Sequence, residues 1–314
     1  MKIVLLDAST FGSSFDFSPL KQFGALSLFS HTSIEDLPKR IQEADIVITN
    51  KVPISYESLK LAPVLRLICV AATGVNNVDL ESARKLGVAV CNVRDYAARS
   101  VAQHTLASAL YLLHALPYHH HFCSSGGWAK GAIFTHMERP FRELGTMVWG
   151  ILGMGAIGRE TARIVSAFGT RIIYTSLSGQ DRAAFERVHL NELLARSDIL
   201  SIHSPLDDRS RNLIGSSELR LIGSDGILIN VGRGGIVDEN ALLKALEKNW
   251  IRGAALDVLD EEPPTTMNPL LKFDDPSRLL ITPHFSWAGS RQRLLDGLCE
   301  NIQAFVDGKP IHLV

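Results

Sequence analysis

Short apolar runs rich in valine, isoleucine and leucine alternate with amphipathic stretches along the whole chain. Runs of this kind are typical of buried strands, and the amphipathic stretches have the period of helices with one apolar face. The predicted strands are 2–6, 46–49, 67–70, 88–91, 147–152, 171–174, 199–203, 226–230, 253–256 and 279–282, and the predicted helices are 34–44, 80–86, 158–168, 239–249 and 290–307. This alternation predicts an α/β fold in which helices cover both faces of parallel sheets.

A stretch without charged side chains divides this pattern. Residues 100–129 contain no Asp, Glu, Lys or Arg, and they separate the first four predicted strands from the rest. We predict a long helix here, buried inside the protein between two domains, and a chain of 314 residues is long enough for two. Pro117 and the histidines of the stretch argue against a membrane span.

The composition excludes several classes of function. Lysine plus arginine number 32 and aspartate plus glutamate 33, which gives a net charge of −1. We therefore expect no nucleic-acid partner and no membrane surface. The four cysteines are scattered without a C-x-x-C pair, and the apolar N-terminal run ends at Asp7, so a reducing, cytoplasmic setting is expected. His119–His121 have no carboxylate at ligand spacing, and no metal site is predicted.

The sequence G-x-G-x-x-G follows one predicted strand directly and opens a predicted helix. In this context, which is typical of dinucleotide-binding turns, Gly153 permits the turn, Gly155 lets a pyrophosphate approach the backbone, and Gly158 allows the helix to pack closely on the sheet. The N–H groups at the start of the helix, with Ala156 and Ile157 among them, are predicted to bind the phosphates.

The end of the next strand indicates which nicotinamide cofactor binds. Dinucleotide folds that prefer NAD place an acidic residue there to bond the ribose hydroxyls, whereas this chain has Ser176. A serine does not repel a 2′-phosphate, and its hydroxyl can donate to one. Leu177 stands where NADP-using enzymes often have arginine, and Arg182 is a cation able to swing towards the phosphate. We expect the protein to accept NADPH and also NADH, with a preference for NADPH.

Reactive side chains follow three further predicted strands. Arg233 stands among glycines, a setting suited to bidentate binding of a carboxylate. Glu262 and His284 follow two other strands, and a carboxylate beside an imidazole fixes its tautomer and keeps a proton available near neutral pH. Each residue also has an ordinary interpretation: a surface arginine, a solvated acidic loop or a core histidine.

Together these segments resemble the D-isomer-specific 2-hydroxyacid dehydrogenases. The family patterns G-x-G-x-x-G, H-x-P-L, N-x-x-R-G, D-V-(x)₄-P with glutamate before the proline, and T-P-H match at 153–158, 203–206, 230–234, 257–263 and 282–284. The resemblance implies that Arg233 binds the substrate carboxylate and polarises its carbonyl, that His284 is the acid–base group and that Glu262 is its partner. Formate dehydrogenases, which are relatives, carry glutamine instead of this glutamate. The resemblance also implies cofactor contacts from His203, Pro205, Val231, Gly232 and Asp257, the last of them near the nicotinamide.

Further segments resemble the glycerate dehydrogenase (hydroxypyruvate reductase) branch of that family, namely 49–53, 71–79, 100–103, 127–128, 285–288 and 300–311. This branch implies reduction of a short 2-oxo acid, with hydroxypyruvate converted to D-glycerate and glyoxylate as a second substrate. It implies that Thr73, Gly74 and Val75 offer backbone N–H groups to the substrate carboxylate. Lys51 either contacts the substrate or is a solvated lysine, and Trp287 either shapes the substrate pocket or belongs to the core.

The resemblance implies two Rossmann-like domains and a homodimer. Residues 98–286 would form the dinucleotide-binding domain, inserted into a discontinuous, flavodoxin-like substrate domain made of 1–97 and 287–314. The dimer would form through the 98–150 region. Two alternatives stay open: a 2-oxo acid reductase of other or broad specificity, and a nucleotide-sensing protein like the corepressors that resemble this family. Turnover of a 2-oxo acid distinguishes an enzyme from such a sensor.

Overall fold

The computed structural model describes residues 1–179 and 184–314, and the chain forms two compact units, Met1–Ala97 with Ala288–Val314, and Ala98–Trp287. The strands are β1 (Lys2–Leu5), β2 (Ala25–Leu28), β3 (Ile46–Thr49), β4 (Leu67–Val70), β5 (Ala89–Asn92), β6 (Val148–Leu152), β7 (Arg171–Thr175), β8 (Glu186–Arg187), β9 (Ile199–Ile202), β10 (Ile227–Asn230), β11 (Gly253–Leu256) and β12 (Leu279–Ile281). The helices are α1 (Leu37–Ile41), α2 (Tyr56–Leu59), α3 (Leu80–Lys85), α4 (Ala98–Leu113), α5 (Leu116–Ser124), α6 (Ala156–Ser166), α7 (Leu190–Arg196), α8 (Ser216–Ile222), α9 (Glu239–Glu247) and α10 (Arg291–Val306).

The first unit contains a five-stranded parallel sheet in the order β2-β1-β3-β4-β5. Every residue of β3 and β4 is buried, as expected for strands that are covered on both faces. The late helix α10 joins this sheet: Leu298 and Ile302 are buried, and the Asn301 side chain donates to the Asn92 backbone oxygen at 2.9 Å. The strand order is the flavodoxin-like one.

The second unit contains a seven-stranded parallel sheet in the order β12-β11-β10-β9-β6-β7-β8. Its first strand, β6, is internal: the chain continues to β7 and β8 on one side and to β9–β12 on the other. In such sheets, ligands bind at the carboxyl ends of the strands, at the point where the strand order reverses direction. In this sheet, that point lies between β6 and β9. The predicted α/β fold with two Rossmann-like parallel sheets is confirmed.

The uncharged stretch forms two helices. α4 buries Val101, Ala102 and several other residues and packs on α6, as predicted for a buried helix. The chain then turns at Ala115, whose φ of 47° is left-handed, and Pro117 in the first turn of α5 has no N–H to continue a helix. No residue of α5 is buried, so the prediction of one long buried helix is wrong beyond α4.

Two edge strands were absent from the sequence pattern. β2 has no buried residue, and β8 has only two residues, both exposed. Neither therefore has the continuous apolar run that identifies an internal strand. Within the described ranges, no helix combines the length and the apolar character that crossing a membrane requires.

Candidate active site

The glycine-rich turn joins β6 to α6. Gly153 has a φ of 101°, and a Cβ atom there would stand 2.6 Å from the Ser204 hydroxyl oxygen. A Cβ atom at Gly158 would collide with the Gly153 backbone oxygen, whereas one at Gly155 would meet nothing within 4 Å. Packing therefore requires the first and third glycines, and the second borders open space that a pyrophosphate can enter.

The amides at the start of α6 are available to a ligand. Among residues 1–179 and 184–314, the N–H groups of Gly155, Ala156 and Ile157 donate to no acceptor. α6 has 11 residues, and its dipole adds partial positive charge at this end. Phosphate oxygens satisfy such donors in dinucleotide-binding folds, so the residues present fit the phosphates of a dinucleotide.

The same turn is bonded to the end of β7. The Gly153 N–H donates to the Thr175 backbone oxygen at 2.9 Å, which holds Ser176 beside the turn. The Ser176 hydroxyl lies 2.9 Å from that of Ser178, and Ser176 is partly exposed. The residues that follow β7 therefore include two serine hydroxyl groups, those of Ser176 and Ser178. Arg182, a cation able to swing towards a 2′-phosphate, lies outside the described residues.

His203 and Pro205 follow β9, the neighbour of β6. The Nε2 atom of His203 lies 3.0 Å from Ser201 Oγ, which accepts the Trp149 indole N–H at 2.9 Å. In the described part of the chain, the buried Nδ1 atom of His203 has no hydrogen-bond partner. Burial lowers the pKa of His203 to about 3, so the imidazole is neutral at physiological pH and one ring nitrogen is left for a further partner. Pro205 is exposed.

Asn230, at the end of β10, shapes the loop that carries Arg233. Its side-chain oxygen accepts the Gly232 N–H at 3.1 Å, and its side-chain nitrogen donates to the Arg233 backbone oxygen at 2.9 Å. Val231 is buried, and a Cβ atom at Gly232 would stand 2.8 Å from the Ser204 backbone oxygen. This packing holds the loop against the segment that follows β9.

The Arg233 side chain is exposed, and its guanidinium donates to the Gly232 backbone oxygen at 2.8 Å. Its remaining N–H groups have no acceptor among the residues that the structure describes. Gly234 packs so closely on the Leu259 backbone oxygen that a Cβ atom would collide with it. The Arg233 loop therefore lies directly on the loop that leads to Glu262.

Glu262 and His284 form a hydrogen-bonded pair. The distance from His284 Nδ1 to Glu262 Oε2 is 2.6 Å, and the other carboxylate oxygen accepts the Leu259 N–H at 3.0 Å. The side chain of His284 is 27% exposed and that of Glu262 is 34% exposed. A carboxylate at Nδ1 leaves Nε2 as the atom that exchanges a proton with a substrate. The structure thus brings together the predicted acid–base pair, with Arg233 on an adjoining loop.

Asp257 holds the segment that carries His284. One carboxylate oxygen accepts the Thr282 hydroxyl at 2.6 Å and the Phe285 N–H at 3.0 Å, and the other accepts the Ser286 N–H at 3.1 Å. The Asp257 side chain is 1% exposed. Its predicted place near the nicotinamide stays a prediction, and this use of its carboxylate was not visible in the sequence.

Two more side chains contact this segment. The Trp287 indole N–H donates to the His284 backbone oxygen at 3.0 Å, which places Trp287 beside the acid–base pair. His104 on α4 has its Nε2 atom 3.2 Å from the Thr282 hydroxyl oxygen. Burial lowers the pKa of His104, which favours the neutral imidazole. Sequence analysis missed His104, because its spacing on an uncharged helix gives no sign of which loop it meets.

In the first unit, the candidates follow the neighbouring strands β3 and β4. The Asp7 carboxylate accepts the N–H groups of Asn50, Lys51 and Val52 at 3.0, 2.6 and 3.3 Å, and this fixes the backbone of Lys51. Burial raises the pKa of Asp7 despite these bonds. Sequence analysis missed Asp7 as well.

The loop after β4 carries the second group of candidates. The Asn92 side chain donates to the Thr73 backbone oxygen at 2.6 Å. The N–H groups of Thr73, Gly74 and Val75 donate to no acceptor within the described ranges, so they are available to an anion. Since parallel strands end at the same edge of a sheet, this loop and Lys51 lie at one edge of the first unit.

Within the described ranges, no set of three or more His, Cys, Asp or Glu side chains is arranged to hold a metal ion. His119, the first of the three adjacent histidines, instead has its Nε2 atom 3.3 Å from the Arg139 backbone oxygen.

Comparison with known proteins identifies the family. The family profile described as D-isomer specific 2-hydroxyacid dehydrogenase, NAD binding domain, matches residues 106–286. The chain belongs to this family. A glycerate dehydrogenase of Methylorubrum extorquens is 38% identical over 282 residues, which are 89% of this chain and 88% of that one. A glyoxylate reductase of Aeropyrum pernix is 40% identical over 289 residues, 89% of this chain and 85% of that one.

A solved structure agrees over the whole length. The acyclic imino acid reductase Bsp5, in complex with NADPH and D-Arg, superposes with a TM-score of 0.88 at 26% identity, covering 100% of both chains. The predicted family and its glycerate dehydrogenase branch are confirmed. The protein is an oxidoreductase that binds a nicotinamide cofactor and interconverts 2-oxo acids and 2-hydroxy acids.

Proposed function

We propose that this D-2-hydroxyacid dehydrogenase reduces hydroxypyruvate to D-glycerate, with glyoxylate as a second substrate. The observation that carries the proposal is the His284–Glu262 pair, whose Nδ1 and Oε2 atoms are 2.6 Å apart. The adjoining loop carries Arg233, whose guanidinium has N–H groups without an acceptor among the described residues. The similarity to a glycerate dehydrogenase and a glyoxylate reductase supports small 2-oxo acids as substrates.

The side chains divide the chemistry between them. Arg233 binds the substrate carboxylate and polarises the neighbouring carbonyl. The reduced nicotinamide, when bound, supplies the hydride to the carbonyl carbon. His284 Nε2 donates a proton to the oxygen on which negative charge develops, and Glu262 at Nδ1 orients the ring and stabilises its charged form before that transfer.

The remaining predicted residues divide between the cofactor and the substrate in this proposal. The amides of Gly155, Ala156 and Ile157 bind the pyrophosphate, with Gly153 and Gly158 shaping the turn. Ser176, His203, Pro205, Val231, Gly232 and Asp257 are the further cofactor contacts. For the substrate, the amides of Thr73, Gly74 and Val75 bind the carboxylate, Lys51 contacts the carboxylate or the hydroxyl, and Trp287 forms a wall of the substrate pocket. NADPH is the preferred cofactor, because no carboxylate at Ser176 repels a 2′-phosphate.

The oligomeric state proposed is a homodimer through residues 98–150. Several large apolar side chains of this region are exposed, with Ile133 at 67%, Phe134 at 89% and Met137 at 68%. A second copy of the chain would remove this apolar surface from water. A sedimentation experiment on the wild type and on Phe134→Asp tests it: a dimer that dissociates in the variant supports the interface, and a monomeric wild type excludes it. The four free cysteines are in keeping with the cytoplasmic location proposed.

A panel of 2-oxo acids tests the substrate. The absorbance of NADPH and of NADH is followed with hydroxypyruvate, glyoxylate, pyruvate and a branched-chain 2-oxo acid. We expect the highest kcat/KM for hydroxypyruvate and the next for glyoxylate. Equal values across the panel would instead support a reductase of broad specificity, and absence of turnover with every acid would contradict the function.

A further inference from the structure

Arg209 reaches from the loop after β9 to the end of β7. Its Nη1 atom donates to the Leu177 backbone oxygen at 3.2 Å, across 32 positions of sequence. We infer that Arg209 is a cation that recognises the 2′-phosphate of NADPH, a specificity-determining role. The inference rests on the NADPH preference proposed above and names a residue that contributes to it.

Several hydrogen bonds hold the loop that carries Arg209. One carboxylate oxygen of Asp207 accepts the backbone N–H groups of Arg209 and Ser210, at 2.9 and 3.1 Å. The Ser210 hydroxyl donates to the Pro205 backbone oxygen at 2.8 Å. These bonds hold the backbone that carries Arg209 next to Pro205, a predicted cofactor contact.

The guanidinium is oriented and still has donors to offer. Nη2 and Nε donate to the second Asp207 oxygen at 2.6 and 3.2 Å, and Nη1 donates to Leu177. Because a guanidinium carries five N–H groups, two remain without an acceptor among the described residues, one on each terminal nitrogen. The side chain is 62% exposed, so those two donors can meet a ligand.

The location matches the ribose end of a bound dinucleotide. Leu177 follows Ser176 directly, and the preceding residue, Thr175, is bonded to Gly153 of the glycine-rich turn. In dinucleotide folds, the residue at this strand end faces the ribose hydroxyls, and a nearby arginine accommodates the 2′-phosphate. Arg209 stands at this strand end although it is remote in sequence.

The guanidinium charge of Arg209 suits a phosphate more than a hydroxyl. Asp207 raises the pKa of Arg209, so the guanidinium stays charged, and both oxygens of Asp207 face donors of its own loop. A 2′-phosphate brings close to two negative charges and several acceptor oxygens, and planar N–H pairs bind such oxygens in bidentate fashion. The ribose hydroxyl of NADH offers no charge for this cation to recognise.

Binding of nucleotide fragments isolates the 2′-phosphate from catalysis. Calorimetry compares adenosine 2′,5′-bisphosphate with adenosine 5′-monophosphate on the wild type, Arg209→Gln and Arg209→Lys. We expect the wild type to bind the bisphosphate more tightly, and Arg209→Gln to lose about tenfold or more of that affinity. The affinity of Arg209→Gln for the monophosphate should change less than about twofold, and Arg209→Lys should keep part of the preference because it keeps the charge.

Arg171→Gln is the matched control. Arg171 begins β7, is also 62% exposed and is also ion-paired, with Glu186 at 2.8 Å, but it lies at the opposite end of the strand. Its variant should bind both fragments as the wild type does. Thermal denaturation of each variant verifies that it is folded.

Each other outcome has a distinct meaning. If the wild type prefers the bisphosphate and Arg209→Gln keeps that preference, or loses affinity for both fragments equally, the role of Arg209 is overturned while the NADPH preference stands. If the wild type does not prefer the bisphosphate, both the role and the NADPH preference are overturned. Turnover of hydroxypyruvate with NADH would then still support the proposed reduction.

Discussion

The backbone N–H of His284 donates to the backbone oxygen of Asp257 at 2.8 Å, and His284 has a left-handed φ of 49°. A non-glycine residue in this conformation costs about 1 kcal/mol or more and persists where its surroundings hold it. The Asp257 carboxylate does so through its bonds to Thr282, Phe285 and Ser286. The orientation of the imidazole thus depends on a residue of the neighbouring strand end.

The first prediction concerns Asp257 as a positioning residue. In Asp257→Asn, an amide NH₂ replaces an acceptor and must face a donor, so at least one buried charge-assisted bond is lost, worth about 1.5–3 kcal/mol. We expect kcat to fall about tenfold or more, and to fall by a larger factor than the Kd of NADPH, measured by fluorescence, rises. Thr282→Val, which removes one donor and keeps the carboxylate, should show a smaller loss. If the Kd of NADPH rises as much as kcat falls, the cofactor contact accounts for the whole effect and the positioning role is refuted.

The second prediction concerns proton transfer. His284→Ala removes the proton donor and should lower kcat about 10²–10⁴-fold. The Kd of the cofactor should stay nearly unchanged, because the glycine-rich turn is untouched. His31→Ala, a change at an exposed histidine of the first unit, serves as the control. Retention of more than half of the wild-type kcat in His284→Ala would refute the assignment.

The third prediction concerns the substrate carboxylate. Arg233→Lys keeps the charge and loses the planar pair of donors, so the 2-oxo acid is held less well. We expect a large rise in its KM together with a fall in kcat, in steady-state assays at saturating NADPH. The same substitution at Arg171 should leave both constants unchanged. Kinetics of Arg233→Lys that equal the wild type would mean that another cation binds the substrate.

The fourth prediction concerns the cofactor. Ser176→Asp places a carboxylate at the end of β7, where it repels a 2′-phosphate and can bond ribose hydroxyls. The kcat/KM for NADPH should fall, and that for NADH should be kept or raised. Ser217→Asp on α8, an exposed position, controls for added charge. A wild type with strong NADH preference, and a Ser176→Asp variant with unaltered NADPH kinetics, would contradict the interpretation of this strand end.

The fifth prediction concerns stability at acid pH. Because the pKa of His203 is about 3 in the folded protein and 6.5 is the ordinary value, the unfolded chain takes up the proton first as the pH falls. The stability linked to this neutral imidazole is therefore complete above pH 6.5 and is lost progressively towards about pH 3. Urea unfolding midpoints should depend less on pH in His203→Gln than in the wild type, whereas His31→Gln should keep the wild-type dependence. Identical slopes in all three proteins would show that His203 titrates normally.

Local patterns in the sequence were sufficient for the fold class and for the main chemical groups. β3, β4, β6 and β9 were predicted because apolar runs at internal strands leave a signal that needs no knowledge of the partner strand. The glycine turn was predicted because Gly153 and Gly158 have steric reasons within a few residues of themselves or at the strand beside them, and because Gly155 leaves space for a pyrophosphate. Motifs predicted the His284–Glu262 pair, and in the structure its Nδ1 and Oε2 atoms are 2.6 Å apart.

Contacts between distant segments depended on the tertiary structure. The Arg209 guanidinium bonds to Leu177, and the Asp257 carboxylate bonds to the segment after β12. In both cases the residues are distant in sequence, and only the order of the strands in the sheet brings them together. The break between α4 and α5 was decided by the left-handed Ala115, since a run of uncharged residues does not reveal where its exposed half begins. Apolar periodicity indicates whether a residue is buried. The partner of a polar side chain depends instead on packing between segments that are distant in the sequence, so the neighbouring residues do not reveal that partner.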